Sequence, residues 1–331
     1  MAHRLISQLA HVEILSPRPA ESVAFFRELL GFEESGRRER SVYLRCWGES
    51  FHHSLVVTEA PQPGLGHVSF RTDGPEELEE AAAAIDRLGL GDGWIDGDLG
   101  HGRAFRFHTP AGHRAELFWE VERYQAPPHM KSAFPNRPQR YPGRNGALRR
   151  IDHVTVQARD VKATRSLFCD VLGFRFMEGF VLPDGTEAFV AITSGAHNHD
   201  LAIAAEPPEH GVDGRLHHVA FYHDTREEVL RTADILAEHG YGLDYGPSRH
   251  GIGEAFFSYV IEPGGNRVEI YSGGYLNYEP DWKPVLWGVG ERSVNAWSED
   301  QVGPPSYRGY AMPPLPSDNE YAAVLTPGRA R

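Results

Sequence analysis

Residues 216–222 read Leu-His-His-Val-Ala-Phe-Tyr, and residues 263–271 read Pro-Gly-Gly-Asn-Arg-Val-Glu-Ile-Tyr. Side chains on a β-strand point alternately to its two faces. In the first stretch His218 therefore points to one face and His217 to the other. In the second stretch Glu269 alternates with apolar neighbours. The pattern predicts two strands that project one imidazole and one carboxylate into a common interior, with His217 turned away from it.

A third stretch, residues 151–156, reads Ile-Asp-His-Val-Thr-Val and shows the same alternation. It places His153 and Thr155 on one face of a predicted strand. Two histidines and one carboxylate are the set that binds non-haem Fe(II) on one side of the ion and leaves the opposite coordination positions open. Mn(II) stays an alternative, because these ligands do not distinguish the two ions well. We therefore expect a metal site made of His153, His218 and Glu269.

Length and composition limit the class of protein. The chain has 331 residues, which is enough for two domains that each bury a core. Lys and Arg number 33 against 46 Asp and Glu, for a net charge of −13. Because no basic run accompanies this acidic balance, we expect no nucleic-acid partner, and the acidic surface serves solubility.

The cysteines and the apolar runs indicate the compartment. Cys46 and Cys169 are the two cysteines of the sequence, and their spacing suits neither a disulfide framework nor a thiolate zinc site. The N-terminus lacks the apolar core of a signal peptide, and no apolar run reaches the roughly 18 residues that a membrane span needs. We expect a soluble protein of the reducing cytoplasm.

Residues 7–120 and 150–275 repeat one pattern. Three intervals recur at equal length in the two stretches: 20 positions (His11 to Gly31, His153 to Gly173), 22 positions (His67 to Gly89, His218 to Gly240) and 6 positions (Pro110 to Glu116, Pro263 to Glu269). Intervals that match in register indicate a tandem duplication. Each stretch also predicts two amphipathic helices, at residues 22–30, 75–88, 164–172 and 226–239, which end near glycines suited to a left-handed cap.

The repeat predicts an α+β fold of tandem βαβββ modules that form two similar half-open barrels. In each module we expect a helix on one face of a curved antiparallel sheet and the histidines on the concave face. The predicted units are an N-terminal domain at 1–124, a linker at 125–149, a catalytic domain at 150–275 and a tail at 276–331. The tail is rich in Pro, Trp and Tyr, so we expect no regular helix or strand in it. It would cover the C-terminal site or contact another subunit.

The arrangement resembles the type I extradiol ring-cleaving dioxygenases of the vicinal oxygen chelate superfamily, the catechol 2,3-dioxygenase and homoprotocatechuate 2,3-dioxygenase group. The resemblance covers nearly the whole chain and is densest over residues 151–275. It implies that His153, His218 and Glu269 bind Fe(II). It also implies a homo-oligomer that cleaves a catechol with O2, giving a 2-hydroxymuconic semialdehyde-type product in the degradation of aromatic compounds.

Three further residues match the family by position. His199 corresponds to the acid–base histidine, a residue type whose ordinary pKa of about 6.5 suits proton transfer near neutrality. His250 and Tyr259 correspond to the groups that hydrogen-bond the bound diol. Each of the three could instead be an ordinary loop or strand residue, and their joint occurrence between the expected ligands favours the functional interpretation.

Three departures from the family pattern concern the substrate. Where the homoprotocatechuate enzymes use Asn, Trp and Arg to hold substrate, this sequence has Thr155, Ala191 and Tyr245. Without the arginine a substrate carboxylate would lose its natural partner, and a buried unpaired carboxylate is costly. The expected substrate is therefore catechol itself or an alkyl-, halo- or aryl-substituted catechol.

The N-terminal half repeats the ligand set as His11, His67 and Glu116. His53 and His101 echo His199 and His250, and alignment puts His108 or its neighbour at the place of Tyr259. Because duplication alone explains this echo, and the N-terminal half of the family is generally inactive, we expect no metal there. The alternatives to a dioxygenase are another vicinal oxygen chelate enzyme, a glyoxalase-like lyase or an epimerase, and a drug-binding module without metal.

Overall fold

The computed structural model describes residues 4–143, 146–210, 212–310 and 312–313. Each half contains two βαβββ modules, which confirms the predicted repeat. The elements of the first half are β1 (Ile6–Ser16), α1 (Pro19–Ala24), β2 (Glu33–Arg38), β3 (Ser41–Arg45), β4 (Leu55–Glu59), β5 (Gly64–Thr72), α2 (Pro75–Arg87), β6 (Gly91–Ile95), β7 (Ala104–His108) and β8 (Arg114–Phe118).

The second half repeats this order. Its elements are β9 (Arg150–Ala158), α3 (Val161–Ser166), β10 (Arg175–Val181), β11 (Glu187–Thr193), β12 (Leu201–Ala205), β13 (Leu216–Tyr222), α4 (Arg226–Glu238), β14 (Leu243–Arg249), β15 (Ala255–Ile261), β16 (Arg267–Gly273) and β17 (Val285–Trp287). Between the halves the described chain is mostly irregular, with one short 3-10 turn at Pro128–Met130. The tail beyond residue 313 lies outside the described residues.

The two sheets are mixed, so the expectation of antiparallel sheets was wrong. The N-terminal sheet has the order β2-β3-β4-β1-β5-β8-β7-β6, and the C-terminal sheet has the order β14-β15-β16-β13-β9-β12-β11-β10-β17. In each module the first and last strands pair in parallel, as β9 and β12 do. The helical crossover returns the chain to the same end of the sheet, so the second strand runs parallel to the first. Two hairpin reversals then bring the fourth strand back beside the first in that direction.

Local sequence explains where the helices begin and end. Thr225 and Glu228 form a reciprocal capping box at the start of α4. The helices α1 and α3 each continue as a short π-helical turn, at Phe25–Leu29 and Leu167–Val171. The glycine that follows the first turn, Gly31, has φ +71°, which confirms the predicted left-handed cap.

The core runs through both halves without interruption. Apolar side chains of the two sheets and their helices belong to one buried cluster. Phe32 of the first half meets Phe221 of the second edge to face, with ring centroids 4.9 Å apart. This shared core fixes the two sheets against each other and leaves their concave faces for polar side chains.

The tail contains a strand, which corrects the expectation that it has no regular structure. The strand β17 pairs in parallel with β10 and extends the C-terminal sheet at its edge. Trp287 Nε1 donates a hydrogen bond of 2.7 Å to the buried Glu178 carboxylate. Among the described residues no helix is long and apolar enough to cross a membrane.

Candidate active site

Three predicted ligands meet on the concave face of the C-terminal sheet. His153 comes from β9, His218 from the adjacent β13 and Glu269 from β16, which pairs with β13. The His153 and His218 Nε2 atoms lie 3.1 Å apart, and Glu269 Oε2 lies 3.0 and 3.1 Å from them. All three side chains are buried.

The hydrogen-bond partners of the imidazoles fix their tautomers. His153 Nδ1–H donates to Asp152 Oδ1 at 3.0 Å, which leaves its Nε2 lone pair free. On the other side, His217 Nε2–H donates to the Tyr307 carbonyl at 2.9 Å. The His217 Nδ1 must then accept, and it takes the Nδ1–H of His218 at 2.6 Å. With His153 in the neutral form that metal binding requires, both ligand imidazoles present Nε2 lone pairs toward Glu269.

This arrangement fits a metal cation. Within the described chain, both carboxylate oxygens of Glu269 are buried and lack a hydrogen-bond donor. A buried carboxylate facing two lone pairs is unfavourable unless a positive charge lies between them. The three ligand atoms lie within 4.8 Å of one another, close enough for one cation to contact all three.

The pKa values of His153 and His218 also indicate that the carboxylates of this site favour a positive charge. Burial alone would lower the pKa of His153, but the Asp152 and Glu269 carboxylates outweigh burial and raise it to about 9. Burial lowers the pKa of His218 to about 4, against the attraction of Glu269. The carboxylates that hold a proton on His153 are the groups that attract a metal ion in its place.

His199 lies against the ligand set. Its ring centroid is 4.0 Å from that of His153, and the side chain is buried. The Asn198 amide donates to His199 Nδ1 at 2.8 Å, so the neutral ring carries its proton on Nε2. Burial, followed by the proximity of His153, lowers the pKa of His199 well below its ordinary value. The side chain is therefore a neutral hydrogen-bond donor at neutral pH.

His250 and Tyr259 form a hydrogen-bonded pair on the same cavity. His250 Nδ1–H donates to the Val294 carbonyl, and the Tyr259 hydroxyl donates to His250 Nε2 at 3.1 Å. Burial and the charge of Glu269 raise the pKa of Tyr259 well above its ordinary value. Tyr307 from the tail packs on Tyr259 with ring centroids 5.1 Å apart.

A cavity of about 420 Å³ joins these residues. Its walls include all six predicted ligand and catalytic side chains, and tail residues 289–291, 293 and 294 also line it. Of the three predicted substrate-binding positions, Thr155 lines the cavity. Ala191 is fully buried in β11 and is not part of the lining, and Tyr245 packs behind the lining residue Tyr307, with ring centroids 4.9 Å apart.

His217 does not turn away from the site, contrary to the alternation of its strand. Leu216 pairs with Val156 and His218 with Thr155, so His217 is the extra residue of a β-bulge. The bulge keeps His217 on the cavity wall, where it holds His218. A bulge depends on pairing with another strand, and the alternation within one strand gives no signal of it.

Sequence reasoning also missed Asp152, Asn198 and Tyr307. Asp152 and Asn198 each directly precede a predicted site histidine, and an acid or amide beside such a histidine is a signal that could have found them. Tyr307 gave no local signal, because its contact with the site depends on the path of the tail.

In the N-terminal half the two corresponding histidines also lie close together, but the carboxylate lies further from them and pairs with other residues. His11 and His67 Nε2 lie 3.0 Å apart, but Glu116 lies 4.0 and 3.9 Å from them. Glu116 instead accepts hydrogen bonds from Arg106 Nε at 3.0 Å and Ser69 Oγ at 3.1 Å. Its carboxylate is therefore already neutralised by a guanidinium.

In this half, Arg106 occupies the position that corresponds to Tyr259. The predicted alignment, which put His108 at that position, was wrong. Tyr259 pairs with Glu269 across β15 and β16, and Arg106 pairs with Glu116 across β7 and β8. His108 lies two residues further along, where it contacts Asp92 at 2.8 Å.

Comparison with known proteins agrees with this geometry. The Glyoxalase/Bleomycin resistance protein/Dioxygenase superfamily matches residues 8–117 and 150–270. Metapyrocatechase of Geobacillus stearothermophilus is 40% identical over 283 residues, covering 85% of this chain and 86% of its own length. The chain belongs to the extradiol ring-cleaving dioxygenases of this superfamily.

Further relatives of the dioxygenase carry similar names. The manganese-dependent 2,3-dihydroxybiphenyl 1,2-dioxygenase of Geobacillus genomosp. 3 is 37% identical over 286 residues, covering 85% of this chain and 90% of its own length. Among solved structures, homoprotocatechuate 2,3-dioxygenase of Arthrobacter globiformis superposes with a TM-score of 0.81 at 28% identity, covering 93% of this chain and 92% of that one. The fold is therefore the vicinal oxygen chelate fold, and the protein is a ring-cleaving oxidoreductase.

Proposed function

We propose that this dioxygenase cleaves a catechol with O2 next to its diol, giving a 2-hydroxymuconic semialdehyde-type product in the degradation of aromatic compounds. The observation that carries the proposal is the convergence of two imidazole lone pairs and one unpaired buried carboxylate, from His153, His218 and Glu269. The names of the metapyrocatechase relatives support the reaction class.

These three residues would hold Fe(II), with Mn(II) as the alternative. A bound ion of this kind would supply three open positions, two for the diol oxygens and one for O2, and a path for electron density between them. The Geobacillus genomosp. 3 relative is named manganese-dependent, which supports Mn(II) as the alternative to Fe(II). Asp152 and His217 would keep both imidazoles in the tautomer that coordinates.

His199 would act as the acid–base residue. Asn198 fixes its Nε2–H tautomer, so the ring offers a proton donor to oxygen held beside the diol. Its burial removes competing water from that donor. While the ring opens, His199 would keep this proton and hold the oxygen through the Nε2–H hydrogen bond.

His250 and Tyr259 would position the diol. The Tyr259 hydroxyl and His250 Nε2 lie 3.1 Å apart on the cavity wall, close enough for one diol oxygen to contact both. His250 Nε2 can accept the proton that a diol hydroxyl loses on chelation, because its Nδ1–H is already held by the Val294 carbonyl.

The lining supports an uncharged ring substituent. Phe180, Ala188 and Phe189 form an apolar wall of the cavity. Tyr245, at the place of the family's arginine, offers no positive charge to a carboxylate. The substrate would be catechol or a catechol with an alkyl, halogen or aryl substituent, held against Thr155. Of the other two expected positions, Ala191 lies outside the lining and Tyr245 would act only through Tyr307.

The N-terminal domain would bind no metal, because Arg106 supplies the positive charge that Glu116 needs. The tail would cover the C-terminal cavity, since Tyr307 packs on Tyr259. Its exposed apolar side chains support a homo-oligomer; they include Leu286, Val289 and Trp297. With both cysteines free, the cytoplasm would be its compartment.

Metal analysis and oxygen uptake test the proposal. Protein loaded anaerobically with Fe(II) should contain one ion per chain and consume O2 with catechol, giving a yellow product. The variant His218→Ala should lose both properties, and the exposed linker variant His129→Ala should keep them. A loaded protein that takes up no O2 with any aromatic diol would contradict the proposal and favour a lyase or epimerase.

A further inference from the structure

Among the described residues of the cavity wall, Gln157 has a buried side-chain oxygen without a hydrogen-bond donor that the proposed reaction does not use. Gln157 lies on β9, four residues after His153 and two after Thr155, and its side chain lines the cavity. Gln157 is only 2% exposed. Within the described part of the chain its Oε1 atom is buried and has no hydrogen-bond donor.

The backbone of Gln157 is fixed from two sides. Its N–H donates to the Arg215 carbonyl at 2.8 Å, and its carbonyl accepts from His113 Nε2 at 2.9 Å. A Cβ at the tail residue Gly309 would lie 2.8 Å from Gln157 Nε2, so the tail passes closely over the amide. The strand is therefore fixed at Gln157, and its unpaired side-chain oxygen is not explained by looseness of the strand.

The other glutamine on the cavity wall behaves differently. Gln301 accepts from the Val294 and Asn295 N–H groups and donates to the Asn295 and Ser298 carbonyls. All of its hydrogen-bonding capacity is used within the tail. Buried polar atoms are normally paired, so an unpaired oxygen on a ligand cavity indicates a partner that arrives with the ligand.

Position along β9 tells which part of the ligand reaches this oxygen. At about 3.3 Å per residue, Gln157 lies about 13 Å along the strand from His153 and about 7 Å from Thr155. A diol bound at the His153 end would extend its ring substituent past Thr155 toward Gln157. Phe189 and Phe180 lie at the Gln157 end, because strand pairing aligns Gln157 with Ala204, Ala204 with Phe189 and Phe189 with Phe180.

We propose that Gln157 is a specificity residue that accepts a hydrogen bond from a hydroxyl group at the end of the substrate's ring substituent. The preferred substrates are then catechols with an apolar arm that ends in a donor. This inference rests on the proposed catechol cleavage and names the substrate class of that same site.

A panel of catechols with hydroxyalkyl arms of one to three carbons tests the inference. Each is compared with the alkyl analogue in which methyl replaces hydroxyl and with the methyl ether, which accepts but cannot donate. For at least one arm length we expect kcat/KM to favour the hydroxyl over both analogues by at least about threefold, the effect of one neutral hydrogen bond.

Two variants test whether the kcat/KM preference for the hydroxyl substrate depends on Gln157. The near-isosteric Gln157→Met should abolish the hydroxyl preference, and the exposed linker variant Gln125→Met should retain it. Gln157→Asn keeps the amide on a side chain one carbon shorter, so the preference should move to a longer arm. This second variant guards against loss of folding in the first.

Two results overturn the inference. If catechol is cleaved but no arm length favours the hydroxyl, or the ratio persists in Gln157→Met, then Gln157 does not recognise a donor and the proposed function stands. If neither catechol nor any member of the panel is cleaved, the proposed function fails and the inference fails with it.

Discussion

Asp152 decides which nitrogen of His153 is available to a metal. Its Oδ1 accepts from His153 Nδ1–H, while Oδ2 accepts from Arg150 Nη1 at 2.6 Å. The arginine, outweighing the burial of the carboxyl group, keeps the pKa of Asp152 well below its ordinary value. Asp152 therefore stays ionised and holds His153 in the coordinating tautomer.

The substitution Asp152→Asn should weaken metal binding about 10- to 100-fold, because the amide cannot offer the same charged acceptor. Competition with a chelator, followed by analysis of the retained metal, measures the change. Asp224, which pairs with Arg149 at an exposed site, provides the matched control Asp224→Asn. Equal metal retention in the two variants would show that Asp152 does not support the ligand.

At the scale of elements, the pairing of two strands decides which residue faces the carboxylate of each ligand set. The register that sets Tyr259 opposite Glu269 in the C-terminal half sets Arg106 opposite Glu116 in the N-terminal half. Burial would raise the pKa of Glu116, but His67, His101 and Arg106 together lower it to about 2. A guanidinium thus supplies the positive charge beside Glu116.

Replacing Arg106 with the residue of the other half should open the N-terminal site. In Arg106→Tyr we expect the metal content to rise from one to two ions per chain, because Glu116 loses its resident positive charge. Elemental analysis after anaerobic loading and gel filtration gives the stoichiometry. The exposed Arg103, just before β7, supplies the control Arg103→Tyr, which should stay at one. Two ions in the unmodified protein would refute the role of Arg106.

At the scale of the whole molecule, a buried histidine of the N-terminal half forms a hydrogen bond with a strand of the C-terminal half. His113, in the turn before β8, hydrogen-bonds the Gln157 carbonyl of β9 through Nε2 at 2.9 Å and Thr109 through Nδ1 at 2.8 Å. Burial lowers the pKa of His113 to about 4. Its neutral form thus belongs to the folded state, whereas the unfolded chain takes up a proton near the ordinary pKa of about 6.5.

Acid should therefore loosen the contact between the halves. A group with a lowered folded pKa stabilises the fold fully above pH 6.5, and that contribution is lost as pH falls toward 4, a difference of about 3 kcal/mol. In His113→Gln the destabilisation should be largest at pH 7 and should shrink toward pH 4, as urea unfolding at several pH values would measure. The exposed variant His129→Gln should follow the unmodified protein. A destabilisation by His113→Gln that is constant with pH would contradict this account.

The sequence by itself determined the duplicated βαβββ fold and the three side chains that meet on the C-terminal sheet. These features depend on rules that act along the chain: the alternation of side chains on a strand, the periodicity and caps of helices, and equal spacing between repeats. His153, His218 and Glu269 could be chosen together because each lies on a strand whose face the local pattern reveals.

Only the tertiary structure decided the parallel pairings, the strand β17 in the tail, and the bulge that turns His217 toward the cavity. It also placed Arg106 on Glu116 and left Gln157 Oε1 without a hydrogen-bond donor among the described residues. Each of these features depends on which residues of distant segments face each other. A shift of one residue in strand pairing changes that partner without changing the local pattern, so the chain's periodicity cannot specify it.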